Sequence, residues 1–345
     1  FSSNVLKNNT RHRFYSWRGH NFSLSNNVYI GRSRHPVYIG NSSYFTVQND
    51  SITFYRGSND YGIYINSSNN ILIADSYINA DDGINYAYDN YGLVVDGTGD
   101  SIMVKRNTFD SFSNNDTKDG IHINGNYGYL EIDSNTVSNF KNRGIFLHPR
   151  VGNDWKVREN TVNNTTVTGI KLDGDAINTN DVNNNGGVAA SVYVNDNIVQ
   201  GGNNGIIIQD INGGATLKNI SRNKLTGQIG GIGITVNGPN SLVANNYIQM
   251  DGVGIAKGIS LESNGSGSDV VFNSVNVTGT DVVNGQGITV NGGTNYRVKN
   301  NIFANNGGGY AAYINSDIST FDWDFNNYYS TKNSLAFYLG TSYDT

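Results

Sequence analysis

One phrase returns along the chain and constrains the fold more than any other feature. Gly, Ile, one residue, a second aliphatic and then a polar residue recur as Gly62-Ile63-Tyr64-Ile65-Asn66, Gly120-Ile121-His122-Ile123-Asn124, Gly169-Ile170-Lys171-Leu172-Asp173, Gly258-Ile259-Ser260-Leu261-Glu262 and Gly287-Ile288-Thr289-Val290-Asn291. A second short strand follows, opening on Asn107, Asn135, Asn160, Asn197, Asn223, Asn246, Asn273, Asn301 and Asn327 in turn. A period of roughly 25 to 30 residues is the mark of a solenoid, in which each repeat buries its apolar side against its neighbours. The uneven spacing excludes a short-period hexapeptide helix. It fits a right-handed parallel β-helix, an all-β fold of about ten to twelve coils with two or three short strands each.

The strands alternate as such a coil requires. In Ile121-His122-Ile123 the two Ile side chains face one way and His122 the other. The recurrent Asn suits a tight left-handed turn, and its amide can also bond to the Asn of the next coil, giving a polar ladder. Asp50 and Ser76 stand at the ladder position of two earlier coils. Along the chain, residues 1–27 read as a lead-in or cap, 28–330 as the β-helix, and 331–345 as a tail leading toward a further domain. The long step from Asn160 to Asn197 marks an insertion around Asp175 to Gly187, and long loops on regular scaffolds are common functional sites.

Composition narrows the function. Charged residues are 15% and the net charge is −5, with no Lys/Arg-rich run, which argues against a nucleic-acid partner. No apolar stretch approaches the roughly 20 residues of a membrane helix. Cysteine is absent, so there is neither a disulfide framework nor a thiolate metal site.

Aligned on the Gly-Ile phrase, the coils present three outward columns. The position before Gly runs Tyr61, Tyr91, Asp119, Arg143, Thr168. The strand centre runs Tyr64, Val94, His122, Phe146, Lys171, and the strand end Asn66, Asp96, Asn124, His148, Asp173. At about 4.8 Å between coils, Asp119 is expected beside Arg143 and His148 beside Asp173. The repeats look like those of the pectate-lyase-like superfamily, and that resemblance implies a lyase acting on an acidic polysaccharide, which needs a cation for the uronate carboxylate, a base for the C5 proton and an acid for the leaving oxygen. Arg143, Arg150 and Lys171 are the candidate cations, and His148 or His122 the base, with Asp173 orienting an imidazole. Tyr91 is the candidate proton donor. Tyr64, Tyr91, Asp96, Asp119 and Arg150 are expected to bind substrate, the tyrosines by stacking on sugar rings. The plainer alternatives are a solvated face, with Asp119 and Arg143 an ordinary surface ion pair, and strand-favouring tyrosines on an exposed sheet. Trp155 and Trp323 sit at apolar positions and are expected in the core.

These repeats resemble the right-handed parallel β-helix proteins of the pectate-lyase-like superfamily over residues 28 to 330. The ending Phe325-Asn326-Asn327-Tyr328-Tyr329-Ser330 resembles the last coil of secreted multidomain β-helix proteins of Bacteroidetes-type bacteria. The resemblance implies a secreted or bacterial cell-surface protein working on a polysaccharide or cell-surface glycan, as a lyase, hydrolase or epimerase. It equally implies a non-catalytic adhesin or structural module of a longer chain, because the fold hosts both. Gly144-Ile145-Phe146-Leu147-His148-Pro149 resembles the Tyr-Gly-Phe-Asp-Pro-His motif of mannuronan epimerases at Gly144 and His148, with Arg143 in place of Tyr and Phe146 in place of Asp. Asp81-Asp82 resembles the acidic pair of polygalacturonase-like hydrolases, without their downstream Gly-His-Gly and Arg-Ile-Lys. Asp181, Asn183 and Asn185 match the first half of an oxygen-ligand calcium loop, whose twelfth position here is Val192 instead of Glu. An Asn-rich turn is the alternative to calcium there.

Overall fold

A computed structural model describes residues 1–7, 12–31, 34–54, 60–80, 90–111, 118–148, 154–173, 191–209 and 217–344. The chain divides into two compact units, the first comprising described residues 1–166 and the second 167–173 and 191–344. Each is a right-handed parallel β-helix, and together they make about eleven turns. Three stacks of strands line each unit.

In the first unit, sheet I stacks Val28–Gly31, Ser51–Phe54, Tyr77–Ala80, Thr108–Ser111 and Thr136–Ser138. Sheet II stacks His12–Trp17, His35–Gly40, Asp60–Asn66 and the first halves of Asn90–Lys105 and Asp119–Asp133, then Arg143–Leu147. Sheet III stacks His20–Ser25, Ser43–Gln48, Asn69–Ala74, the second halves of the same two long strands, and Asp154–Arg158. Those long strands run through the sheet II–III corner without a break and pair residue for residue from Leu93↔Ile121 to Lys105↔Asp133, with one skipped position. The second unit repeats the plan and ends on a hairpin, Thr341–Asp344 antiparallel to Ser334–Tyr338.

The alternation holds. Ile63, Ile65, Leu93, Val95, Ile121, Ile123, Ile145 and Leu147 are buried, and Trp155 joins them. Trp323 is only half-buried. The repeated Gly has a packing reason. A Cβ on Gly62 would stand 2.6 Å from the Gly92 carbonyl oxygen, on Gly92 2.5 Å from that of Gly120, and on Gly258 2.4 Å from that of Gly287. Each glycine lets the next coil close down on its backbone.

The ladder is present in both units. Asn107 donates from its backbone N–H (2.9 Å) and Nδ2 (3.0 Å) to Asn135 Oδ1, while Nδ2 also reaches the Ile73 carbonyl at 3.0 Å. Asn135 does the same to Asn160, and Asn197, Asn223, Asn246, Asn273 and Asn301 form the equivalent chain in the second unit. Asp50 and Ser76 stand in the row, accepting from the backbone N–H of Asn27 and Asp50 respectively. Two expectations need correction. The row ends on Asn326, which accepts from Asn301, and Asn327 instead opens the following strand. The left-handed residue of the turn is also not the ladder Asn but the one before it: Asp75, Arg106, Ser134, Glu159, Arg222, Phe272 and Phe325 all have φ between 53° and 59°. Arg, Glu and Phe have no liking for that conformation, so the Asn is selected for its amide bonds.

Candidate functional site

The outward side of sheet II in the first unit carries a continuous row of rings. Trp17 lies 6.4 Å from Tyr38, Tyr15 4.9 Å from Tyr38, and Tyr38 5.2 Å from Tyr64. His35 stacks on Tyr61 at 4.7 Å and 8°, Tyr61 meets Tyr64 at 5.1 Å and Tyr91 at 5.4 Å. Tyr91 sets its ring edge-on to His122 at 5.3 Å, and His122 lies 4.7 Å from Phe146. The parallel register causes this, because Tyr61↔Tyr91, Val94↔His122 and His122↔Phe146 are direct partners. Outward rings one coil apart are thereby held within stacking distance.

The row leads to a buried carboxylate. Asp119 is fully buried and accepts a two-pronged grip from Arg143, Nε to Oδ1 and Nη2 to Oδ2, both at 2.8 Å. The same Oδ2 lies 2.7 Å from His122 Nδ1. The expected pairing of Asp119 with Arg143 is therefore present, but it is no exposed surface ion pair. An ionised carboxylate only accepts, so Nδ1 carries the proton and Nε2 is the nitrogen left to take one. The His122 side chain keeps 17% of its surface exposed, enough for a ligand to reach it. The Arg143 guanidinium also covers the Phe146 ring at 3.6 Å, which fixes both.

The remaining site residues fall as follows. His148 is buried, with its ring 6.2 Å from Phe146. Asp96 accepts from Asn124 Nδ2 at 3.2 Å. The Tyr64 hydroxyl is held above its ordinary acidity range by burial first, then by the charge of Asp96 and a hydrogen bond to it. Lys171 and Asp173 belong to the second unit, where they pair at 2.6 Å. Arg150, Asp181, Asn183, Asn185, Asp81 and Asp82 lie outside the described residues. Among the described residues no group of three or more His, Asp or Glu is placed to hold a metal, and no helix is long and apolar enough to cross a membrane.

Sequence reasoning missed the near end of the row: His12, Tyr15, Trp17, His35 and Tyr38. Their coils lack the Gly-Ile signal, since Pro36 fills the glycine position of His35-Pro36-Val37-Tyr38-Ile39. The aromatic alternation Phe14-Tyr15-Ser16-Trp17 was the signal that could have found them. His35 is buried against Tyr61, and burial, with the charges of His12 and Arg34, lowers its pKa to about 4.

The fold and this face define a parallel β-helix protein with a ring-lined outward sheet. Comparison of the chain with protein-family models gives no match, and comparison with curated proteins gives none either.

Proposed function

We propose that the ring-lined face of the first unit binds an acidic polysaccharide and acts on it by lyase-like elimination, with His122 taking the C5 proton. One observation carries this reading: a histidine whose Nδ1 is held at 2.7 Å by a buried carboxylate stands within an aromatic row, beside Tyr91. Asp119 fixes the tautomer and steadies the imidazolium that forms, while Tyr91, packed against the same ring, is the candidate donor to the leaving oxygen. Flat rings suit the apolar faces of sugars, and their low conformational freedom suits a repeating ligand. The resemblance of the repeats to the pectate-lyase-like superfamily supports the same reading and, with it, a place outside the cell.

A second reading, a non-catalytic adhesin face, draws on the cations. Arg143 is committed to Asp119 and Lys171 to Asp173, so neither stands ready to neutralise a uronate. The test is incubation of the protein with alginate, pectate and glycosaminoglycans, following the ultraviolet absorbance of the unsaturated product. Lyase action predicts product with the wild type and none with His122→Asn, at unchanged binding. Binding without product from any polymer supports the adhesin reading.

A further inference from the structure

The ring row has two unlike rims. At the strand starts, one column runs Arg34, Asp60, Asn90, Lys118. The Arg34 carbonyl accepts from Tyr61 N–H, Asn90 pairs with Asp60, and the Asn90 carbonyl accepts from Lys118 N–H. Asp60 and Asn90 are buried, while Arg34 is exposed and Lys118 half-buried. The two cations thus flank the rings three coil steps apart, about 14 Å at the usual strand spacing. Both act on the rings between them: Lys118 Nζ lies 6.0 Å over Tyr91, and the charges of Arg34 and Lys118 both pull the pKa of Tyr61 down against the larger, raising effect of burial. At the strand ends the column is Asn66, Asp96, Asn124. There a carboxylate sits between two amides and beside the Tyr64 hydroxyl.

A uronate ring has the same two-sidedness. Its carboxylate hangs from C5, and its C2 and C3 hydroxyls lie on the opposite edge. Building on the glycan-binding reading above, we infer that Arg34 and Lys118 seat the carboxylates of a polyuronate laid on the rings, while Asp96, with Asn66 and Asn124, takes the C2 and C3 hydroxyls. Charge goes to the cationic rim, and hydroxyl donors go to a carboxylate with amides on either side. Arg143 is a positioning residue for Asp119 and His122 and is not the carboxylate seat.

The experiment compares two oligosaccharides of identical linkage and length, an oligouronate and its carboxyl-reduced neutral counterpart, by equilibrium binding to the full chain. Wild type is expected to prefer the acid, with an affinity that falls as salt rises. The Arg34→Gln/Lys118→Gln variant should lose about 3- to 10-fold for the acid, the scale of exposed charge contacts, and stay within about 2-fold for the neutral oligomer. Asp96→Asn should weaken both. Both rim changes are conservative, and unchanged thermal unfolding verifies the fold. Equal affinity for the two oligomers in wild type, or an equal loss of both in the double variant, overturns the assignment of the rims while leaving glycan binding intact. Failure of wild type to bind either oligomer removes the glycan reading itself, and this inference with it.

Discussion

Asp50 interrupts an amide ladder, and the structure says what repairing it is worth. The residue is buried, its Oδ1 accepts from Asn27 N–H at 2.7 Å and Asn27 Nδ2 at 3.2 Å, and the buried Tyr29 hydroxyl is the further donor near the carboxylate. Burial raises its pKa to about 6 from 3.8, against opposing hydrogen bonds from Asn27 and Tyr29. Folding therefore binds the proton more tightly than the unfolded chain does, so stability is greatest below about pH 4 and is lost as pH rises through about 6. The full loss is about 3 kcal/mol at neutral pH, taking 1.36 kcal/mol per unit. Asp50→Asn removes that cost. Its Nδ2 would put a neutral donor into the row, the role that Asn107 Nδ2 fills toward the Ile73 carbonyl and Asn135 Oδ1. Each such bond adds about 1 kcal/mol net. The variant should thus gain roughly 3 kcal/mol or more at about pH 7.5 and about 2 kcal/mol less than that at about pH 4.5. Urea midpoints at both pH values, with hydrogen exchange of the Asn27 amide reporting locally, measure the difference. An equal gain at both pH values, or a loss at the higher one, refutes the account.

Asp119→Asn should free His122 to adopt the other tautomer and lower any turnover by about 10²- to 10⁴-fold with little change in binding, checked by kinetics on the substrate found active. Asp119→Ala should instead cost about 3–5 kcal/mol by stranding Arg143, read from thermal unfolding. His35, lowered to about 4 from 6.5 by burial, gives stability that is complete above about pH 6.5 and is lost as pH falls toward 4, the opposite sign to Asp50; an NMR titration of its ring protons should show that midpoint. Phe272, exposed and at φ 59°, should gain about 1 kcal/mol on replacement by Asn, which tolerates that conformation; an unchanged melting temperature would count against it. Asn223→Ala should cost about 2–4 kcal/mol, because the buried partners Asn197, Val194 and Asn246 lose their bonds together.

Much of the architecture was legible because periodicity and burial speak through the same residues. Gly-Ile-x-Ile fixes which side chains face in, and aligning the unequal coils on that phrase fixes which outward residues become neighbours; hence Asp119 beside Arg143, and Tyr61 beside Tyr91. Three things were hidden. Glycine reads as turn chemistry until the next coil is seen closing on it at Gly62 and Gly92. Asn reads as a left-handed residue until Arg106 and Glu159 are found holding that conformation one position earlier. The grip of Asp119 on His122 joins residues three apart along one strand, where the alternation of Ile121 and Ile123 about His122 drew attention across coils instead.

The two uncreased strands Asn90–Lys105 and Asp119–Asp133 have a consequence for how this protein can diversify. At other corners a coil can lengthen its turn without disturbing its neighbours. Between Asp96 and Ser101, and between Asn124 and Tyr129, the ribbons are bonded to each other across the bend, so an added residue in one would throw the whole panel out of step. Asp96, Asp119 and His122 ride on that panel. New specificity there must arise by exchanging side chains, one at a time, on a backbone that has no room to grow.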